Sequence, residues 1–427
     1  MKSLSFFIIV ILNISFFAHC FVTVNKINDK WFFINENGEP FISRGINQVN
    51  INGDIDKKTL KDTYNETIKL KYQDYKAWAQ TTSDRMSEMG FNTIGAWSNY
   101  EYFDSMYFIY ILYPGSNDWS SGAIDDYFSP RFEEESRKHI NQEITDRNLI
   151  NNKKLIGYCI GNELRWGIDW RSMKTIVFDY LNMNENAYGK KAIISFFQKY
   201  YNSDIKKFNS EWFVNLKDWE SALSYQKFKS NSIYGKRAEK TILTHIASKY
   251  YQVTTDIIRE IDNNHLILGS RFIGAVTPKE VVIASSYYCD VISINYYQLI
   301  LDLDKTLPYF LNYTKTDNYL KEFYQLSGKP LLITEFGFRG KTKNAPSTKP
   351  FIFPVYFTEK CRAKAFEKEI KSFMSTDYII GYHIFKWMDQ PKNGRNMADG
   401  ENNNCGIVTI YDDVYKNLNS SFKECNF

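Results

Sequence analysis

The stretch Leu155-Ile-Gly-Tyr-Cys-Ile-Gly-Asn162-Glu163 is an apolar run that ends in an amide and a carboxylate. A continuous apolar run predicts a strand that is buried on both faces of a sheet. A second stretch, Pro330-Leu-Leu-Ile-Thr-Glu335, repeats the pattern and again ends in a glutamate. Because a charged group is costly to bury, we expect each glutamate to lie in a cleft at the end of its strand or to be used there.

Six further apolar runs extend this pattern along the chain. With the two stretches above, they predict strands at residues 41–49, 91–97, 106–112, 155–160, 266–269, 291–296, 330–336 and 379–385. Helical periodicity separates most of them, at residues 74–89, 131–147, 238–261, 319–326 and 358–375. Strands that alternate with helices in this number predict an α/β protein of the (β/α)8 TIM barrel class. The alternative is a doubly wound open sheet, which would carry a glycine-rich turn after its first strand, where this chain has Gly45-Ile-Asn-Gln.

Two segments lie outside this repeating pattern. Residues 21–40 predict an N-terminal β-hairpin, with a turn at residues 35–40. The long connection after Glu163, about residues 164–262, is expected to form a loop and helix insertion on the C-terminal face of the barrel. The sequence contains no linker, internal repeat or low-complexity tract. We therefore expect residues 21–427 to form a single catalytic domain.

The composition of the 427 residues is globular, with 44% hydrophobic and 24% charged residues, which excludes wholesale disorder, collagen and coiled coil. The net charge is +4 and no basic block is present, so no nucleic-acid partner is expected. Aromatic residues make up 17% of the chain, and flat aromatic rings suit the stacking of sugars. The alternative explanation is compositional bias, since the chain is also rich in Asn, Lys and Ile. No protein partner is indicated.

The N-terminus predicts a signal peptide over residues 1–20. Lys2 precedes an apolar run at residues 4–17, which is too short for a comfortable membrane span and is followed by Ala18-His-Cys20. We expect a secreted or lumenal protein with no membrane association after cleavage; the alternative is a retained signal anchor. Three Asn-X-Ser/Thr sequons predict glycosylation at Asn65, Asn312 and Asn419.

Five cysteines follow residue 20, and Cys405 and Cys425 are the pair that we expect to form a disulfide, although spacing alone does not fix the connectivity. The sequence has no CxxC, HxH or HExxH pattern, so no metal is expected. It also lacks the GxSxG and GxxxxGK motifs. We expect an activity that needs no cofactor.

Glu163 and Glu335 follow the fourth and seventh predicted strands, which lie on opposite sides of a barrel. Their carboxyl groups can therefore face each other across the pocket at the C-terminal ends of the strands. Glycoside hydrolysis needs two carboxyl groups that flank the scissile bond, and retaining enzymes hold them ~5–5.5 Å apart. The pair predicts a glycoside hydrolase.

At these residues the sequence resembles a large clan of retaining glycoside hydrolases on (β/α)8 barrels, which includes β-galactosidases, cellulases and β-mannanases. Within the clan, the likeness is to the β-agarase group and its relatives. Beyond the two glutamate stretches, the resembling segments are residues 38–47, 90–97, 265–272, 290–297, 387–395 and 399–406. The resemblance implies a secreted retaining β-glycosidase that hydrolyses a β-linked polysaccharide or oligosaccharide, agarase- or galactanase-like, by double displacement. The sugar and the linkage stay open.

The resemblance also implies roles for single residues. Glu163 would be the general acid/base and Glu335 the nucleophile, while Asn162 would bind the sugar 2-hydroxyl. Tyr296 would donate a hydrogen bond to Glu335, with Tyr297 as the alternative, since a one-residue slip exchanges the faces of a strand.

Further residues are placed around the pocket with less specific roles. Trp387 would form the floor under the sugar that is attacked. The other lining residues would be Arg44, Asn47, Trp97, Arg271 and His383.

Most of these residues also have a structural interpretation. Asn162 can cap a helix, and Trp387, Arg44 and His383 can serve packing. Trp166 and Trp170 either form outer sugar platforms or pack the insertion. The residues of the last loop either bind substrate or brace the loop: Asp389, Gln390, Arg395, Asp399 and Glu401.

Two other functions remain open from the sequence. One is a catalytically silent, secreted carbohydrate-binding protein on the same barrel. The other is an aldolase, for which Lys386 is the candidate strand-end lysine.

Overall fold

The computed structural model describes residues 21–115, 121–297, 316–350 and 354–426, and the chain has an α/β fold. The predicted signal peptide and Asn312 lie outside the described residues. Within the described ranges, no helix is both long enough and apolar enough to cross a membrane.

Strands and helices alternate along most of the chain. The strands are β1 (Thr23–Ile27), β2 (Lys30–Ile34), β3 (Pro40–Phe41), β4 (Ser43–Ile46), β5 (Thr93–Ile94), β6 (Tyr107–Leu112), β7 (Leu155–Ile160), β8 (Leu266–Ile267), β9 (Phe272–Ile273), β10 (Ile292–Asn295), β11 (Leu331–Phe336) and β12 (Ile379–Ile384). The helices are α1 (Thr63–Lys71), α2 (Tyr75–Glu88), α3 (Pro130–Asp146), α4 (Ile176–Leu181), α5 (Tyr188–Tyr200), α6 (Ile205–Trp212), α7 (Trp219–Ser224), α8 (Gly235–Ile261), α9 (Lys279–Ser286), α10 (Thr316–Ser327), α11 (Glu359–Met374) and α12 (Lys416–Asn426).

The main sheet has nine strands among the described residues, and every pairing in it is parallel. Its order is β8-β7-β6-β5-β4-β12-β11-β10-β9. The two outer strands, β8 and β9, are separated in the chain by residues 268–271 alone. The sheet therefore curls, so that its two outer strands meet in one short segment of the chain.

Backbone hydrogen bonds continue through this meeting segment on both sides. Leu268 N donates to Tyr158 O at 2.7 Å, and Ile160 N donates to Gly269 O at 2.7 Å, on the side of β7. On the other side, Val291 N donates to Ile267 O at 3.2 Å, just before β10.

Each predicted apolar run contains a strand, and several of the strands are shorter than their runs. The run at 266–269 forms only β8, and β9 begins after the run, at Phe272, because Gly269 (φ +81°) and Arg271 (φ +49°) leave the extended region. The run at 41–49 forms a strand of the main sheet only over Ser43–Ile46, and Gln48 has φ +53°. Positive φ at a residue with a side chain ends an extended strand.

Apolar residues pack on both faces of the main sheet. The larger cluster lies between the sheet and the outer helices and includes Trp78 on α2, Ile140 on α3 and Ile246 on α8. A smaller cluster fills the inner face, with Ile109, Ile156 and Leu332 among its members. Burial on both faces explains why these strands are continuously apolar.

The small sheet at the N-terminus is antiparallel, in the order β1-β2-β3. Its tight turn is formed by Asn28 (φ +49°) and Asp29 (φ +66°), residue types that tolerate this conformation. The predicted turn at 35–40 is a second turn, which leads into β3. Val22 and Phe33 belong to the inner cluster, and Trp31 N donates to Asp377 O at 2.8 Å, just before β12. The small sheet thus packs against the N-terminal end of the main sheet.

The long connection after β7 contains α4 to α7 and leads into α8. Its core is aromatic, with Phe197, Phe208 and Trp212 fully or almost fully buried. Phe197 and Trp212 pack with ring centroids 4.8 Å apart.

Candidate active site

Two glutamates lie where β7 and β11 end. Glu335 is the fifth residue of β11 and is 5% exposed. Glu163 follows the end of β7 by three residues, is half-buried, and has φ +50°. Its backbone N donates to Arg271 O at 3.3 Å, which ties this loop to the segment between β8 and β9.

Arg271 connects the two glutamate loops. Its guanidinium is fully buried and forms an ion pair with Glu335 through Nη2 and Oε1. Its Nε donates to Asn162 Oδ1 at 2.8 Å. Arg271 N donates to Ser293 Oγ at 2.8 Å, which fixes the backbone of this segment. Burying a carboxylate is far less costly when a guanidinium pairs with it.

Asn295, at the end of β10, completes the connection. Its Nδ2 donates to Glu163 Oε1 at 3.0 Å and to Asn162 Oδ1 at 3.2 Å. Its Oδ1 accepts from Thr334 Oγ1 at 2.9 Å, which orients the amide. Sequence reasoning missed this residue, although an amide that ends a buried strand is the same signal that marked Asn162.

Tyr297 donates the hydrogen bond to the second oxygen of Glu335, from its hydroxyl to Oε2 at 2.6 Å. The prediction of Tyr296 at this position was wrong. The Tyr296 ring packs against Phe373 and Tyr319, with ring centroids 5.2 and 6.1 Å away. The pairing of β10 with β11 shifts register between Ile294 and Asn295, and such an irregularity changes which side chains face the site.

The surroundings of the two carboxyl groups differ. Burial in the cleft, followed by the negative charge of Glu335, raises the pKa of Glu163 to about 7. Burial and the Glu335 charge also raise the pKa of Tyr297 well above its usual value, so its phenol stays a donor. One glutamate is held by two strong donors, and the other keeps a proton near neutral pH. Such a pair can serve acid–base and nucleophilic chemistry together.

An aromatic wall borders Arg271. The guanidinium carbon lies 4.6 Å from the ring centroid of Trp97. Trp97 Nε1 donates to the hydroxyl of Tyr113 at 2.8 Å, and Phe385 meets the Trp97 ring edge-on at 6.4 Å. Tyr113 directly follows β6 and is 46% exposed, while Phe385 directly follows β12 and is half-buried. Sequence reasoning named Trp97 alone, although aromatic residues that end strands are a visible signal.

Trp387 does not form a floor for a sugar, because its side chain is completely buried. Its Nε1 donates to the hydroxyl of Tyr64 at 2.9 Å, and its backbone N donates to Asn47 O at 3.0 Å. A platform for a sugar needs a ring face that solvent reaches. Trp387 is therefore a core residue beneath the loop that follows β12.

Two more of the predicted lining residues have structural contacts. Asn47 is buried and bonds main chain at both ends of its amide, accepting from Ala96 N at 2.7 Å and donating to Thr334 O at 2.8 Å. His383 is buried, and its Nε2 lies 2.9 Å from Ser43 Oγ. Burial lowers the pKa of His383 to about 3, so it is a neutral residue of the inner face.

Arg44 follows Ser43 in β4, so its side chain lies on the opposite face of the strand. It pairs in register with Tyr382, a member of the cluster outside the sheet. The prediction that Arg44 lines the pocket was wrong for this reason.

The loop after β12 is braced by its own side chains. Asp389 accepts from Gly406 N at 2.8 Å and Gln390 Nε2 donates to Glu401 Oε2 at 2.7 Å. Arg395 pairs with Asp399 and Glu401. These contacts favour the bracing interpretation of the loop residues.

Lys386 is fully buried in the same loop and pairs with Asp54. Its Nζ also donates to Gln48 Oε1 at 2.6 Å. A buried lysine whose Nζ is engaged by a carboxylate and an amide oxygen is not free to attack a carbonyl group, which disfavours the aldolase hypothesis.

Two further predictions fail in the structure. Cys405 is buried and Cys425 lies on α12, and both are free thiols, so the predicted disulfide is wrong. Asn65 is buried and its Nδ2, the atom that would carry a glycan, donates to Ile51 O at 2.9 Å. Asn419 lies half-buried on α12, and its glycosylation stays a prediction.

Comparison with known proteins supports the resemblance seen in the sequence. No protein-family model matches the chain. The chain is 26% identical to β-agarase B of Vibrio sp. (strain JT0107) over 397 residues, which are 88% of this chain and 39% of that protein. It is 23% identical to β-agarase A of the same strain over 421 residues, 92% of this chain and 39% of that protein.

Among solved structures, the crystal structure of an agarase superposes with a TM-score of 0.79 at 22% identity, covering 96% of this chain and 65% of that one. These matches confirm the resemblance to the β-agarase group. The chain spans about two fifths of the length of the two curated relatives.

Proposed function

We propose that this chain is a retaining β-glycosidase of agarase type, which hydrolyses a β-linked galactan polysaccharide or its oligosaccharides by double displacement. The observation that carries the proposal is the different environment of the two glutamates. Glu335 is paired with Arg271 and accepts from Tyr297, while burial raises the pKa of Glu163 to about 7.

In the first step, a Glu335 oxygen attacks the anomeric carbon and forms a glycosyl ester. Glu163 gives its proton to the glycosidic oxygen, and the leaving sugar departs with that proton. Asn162 supplies a donor for the 2-hydroxyl, because its Oδ1 is held by Arg271 and Asn295. Its Nδ2 makes no hydrogen bond within the part of the chain that the structure describes.

In the second step, the same residues act in reverse. Once Glu335 is an ester it has lost the negative charge, which together with burial raises the pKa of Glu163. The loss of that charge favours the ionised form of Glu163, which accepts a proton from water as the water attacks the anomeric carbon. The bond between the sugar and Glu335 breaks, and the product keeps the β configuration.

We further propose that the curled sheet is a closed (β/α)8 barrel with a hairpin at its N-terminal end and an insertion after the fourth strand. The support is the meeting of β8 and β9 in one segment, which makes them two halves of a fifth strand. The site then lies at the C-terminal ends of the strands, as in other barrels. The proposal includes a single catalytic domain over residues 21–427, secretion directed by residues 1–20, and an activity without a cofactor.

The test is the release of reducing ends from a panel of substrates. The panel holds agarose, other β-galactans, β-mannans, β-glucans and aryl β-glycosides, and it compares the wild type with Glu335→Gln. We expect cleavage of agarose or another β-galactan, and a loss of about 10³-fold or more in the variant. Glu133→Gln is the matched control, because Glu133 is a solvent-exposed residue of α3.

Two results would count against the proposal. If activity survives in Glu335→Gln, Glu335 is not the nucleophile. If the wild type binds a polymer but cleaves no member of the panel, the chain is a carbohydrate-binding protein on a catalytic scaffold.

A further inference from the structure

A tight turn projects from the loop that follows Glu163. Asp169 and Ser172 exchange backbone hydrogen bonds at 3.1 and 3.3 Å, which close the turn. Trp170 stands at the tip of this turn and is 66% exposed. The exposed part of this ring gains little from packing and is accessible to a ligand.

The ring of Trp170 rests on a fixed cation. The guanidinium carbon of Arg171 lies 4.7 Å from the Trp170 ring centroid. Arg171 pairs with Asp169 at 2.6 Å, and the two side chains are only 2% and 5% exposed. Arg171 N also donates to Asp169 Oδ1 at 2.8 Å. One ring face is therefore held against a buried ion pair, and the rest of the ring lies open to solvent.

The same arginine ties the turn to the catalytic loop. Arg171 Nη1 donates to the backbone oxygen of Glu163 at 2.8 Å. The position of the Trp170 ring is thus coupled to the backbone of the proposed acid/base residue.

Trp166, the other tryptophan of this loop, is a packing residue. Trp166 is 2% exposed and lies against Tyr127, Tyr250 and Tyr251, with ring centroids 5.6 to 6.1 Å away. Trp166 packs the start of this loop against α8. Trp170 has no such role, since it faces outward from the same loop.

We propose that Trp170 is the stacking platform for the sugar on the leaving-group side of the scissile bond. The proposal rests on the proposed function, because it places Glu163 as the acid that protonates the glycosidic oxygen. A surface tied to the backbone of that acid lies toward the departing sugar. The aromatic wall of Trp97, Tyr113 and Phe385 adjoins Arg271 and the nucleophile, so it serves the sugar that is attacked.

This assignment separates two kinds of substrate. An oligosaccharide has a sugar on the leaving-group side, whereas a β-glycosyl fluoride has only fluoride there. Loss of the platform lowers kcat/KM for the oligosaccharide more than for the glycosyl fluoride. We expect the ratio of the two values to fall about tenfold in Trp170→Ala.

The experiment measures this ratio in the wild type, Trp170→Ala, Trp170→Phe and Tyr287→Ala. Trp170→Phe keeps a flat ring and should recover most of the ratio. Tyr287 is a matched control, because it is 78% exposed and caps the C-terminal end of α9, just before β10 begins. Its replacement should leave the ratio unchanged. Thermal unfolding of each variant checks that the fold is intact.

A second measurement does not depend on turnover. In the Glu335→Gln background, Trp170→Ala should weaken the binding of the oligosaccharide about tenfold in calorimetry. If Trp170→Ala leaves both the ratio and the binding unchanged, Trp170 is not the platform, and the proposed function still stands. An equal loss on both substrates also overturns it, since it would show a general disturbance of the Glu163 loop. If the wild type cleaves neither substrate, the proposed function fails and the platform fails with it.

Discussion

Arg271 and Glu335 form an ion pair in which the arginine side chain is fully buried and the glutamate almost so. The arginine comes from the break between β8 and β9, and the glutamate comes from β11. The same guanidinium bonds Asn162, which precedes Glu163. One buried cation therefore fixes Glu335, the proposed nucleophile, and the loop that carries Glu163, the proposed acid/base, relative to each other.

Replacing Arg271 should damage both activity and stability. Arg271→Met leaves Glu335 buried without its cation, and breaking a buried pair costs about 3–5 kcal/mol of unfolding free energy. The value of kcat/KM should fall about tenfold or more, because Glu335 and Asn162 both lose a hydrogen-bond donor. Thermal unfolding and steady-state kinetics measure the two effects.

Arg137→Met is the control for this prediction. Arg137 pairs with Glu260 on the exposed surface, and such pairs contribute about 0–1 kcal/mol. If both variants lose the same small amount of unfolding free energy, the Arg271–Glu335 pair does not hold the site together.

The fall of kcat/KM at alkaline pH should reflect the deprotonation of Glu163. Its pKa is raised to about 7 and its protonated form is the proposed acid, so kcat/KM should fall about tenfold per pH unit as the pH rises above that value. Burial and the Glu335 charge are the causes of this raised pKa. The measurement is kcat/KM between pH 4 and pH 9 (roughly the range in which carboxyl groups and histidines titrate).

Glu163→Gln provides the matched comparison. On an activated aryl glycoside, whose departure needs no acid, the variant should keep measurable glycosylation without this fall at alkaline pH. A fall that persists unchanged in Glu163→Gln would assign the titration to another group.

Tyr297→Phe should lower kcat/KM by about 10- to 100-fold, which is the effect of losing a hydrogen bond to a charged group. The phenol donates to Glu335 Oε2 at 2.6 Å, and phenylalanine keeps the ring. Steady-state kinetics on the best substrate of the panel measures the loss. Tyr296→Phe is the control, since that ring packs against Phe373. Equal losses in the two variants would contradict the assignment of Tyr297.

The two tryptophans of the site region should respond differently to replacement. Trp97→Ala removes a ring that borders Arg271, so we expect KM to rise about tenfold or more with a smaller change in stability. Trp387→Phe removes a buried hydrogen bond to Tyr64 and part of a buried volume. It should lower the unfolding free energy by about 1–3 kcal/mol and leave KM close to the wild-type value. A large rise in KM for Trp387→Phe with an unchanged unfolding free energy would instead support Trp387 as the floor of the sugar site.

The two strands that end in glutamates were predictable, because continuous apolar runs followed by a carboxylate are rare and informative. The position of Arg271, which bonds both Glu335 and Asn162, was less predictable. It depends on two left-handed residues, Gly269 and Arg271, that separate β8, which lies in the fifth run, from β9, which follows that run. Apolar periodicity carries no signal for such a break.

The errors have a common physical cause, which is tertiary context. The register shift beside Asn295 decides that Tyr297 and not Tyr296 reaches Glu335. The loop after β12 turns inward and buries Trp387, so Phe385 is the aromatic residue that stays half-exposed there. Neither choice is visible in a single sequence, because both depend on how distant segments pack.

The central claim is that Glu335 is the nucleophile and Glu163 the acid/base, and azide rescue tests it most directly. Glu335→Ala and Glu163→Ala are assayed with azide on an activated aryl β-glycoside that the wild type cleaves, and the products are identified by NMR. We predict an α-glycosyl azide from Glu335→Ala, because azide attacks the face that the nucleophile has vacated. Glu163→Ala should give the β-glycosyl azide, because azide intercepts the intermediate in place of water. A β-glycosyl azide from Glu335→Ala would contradict the claim.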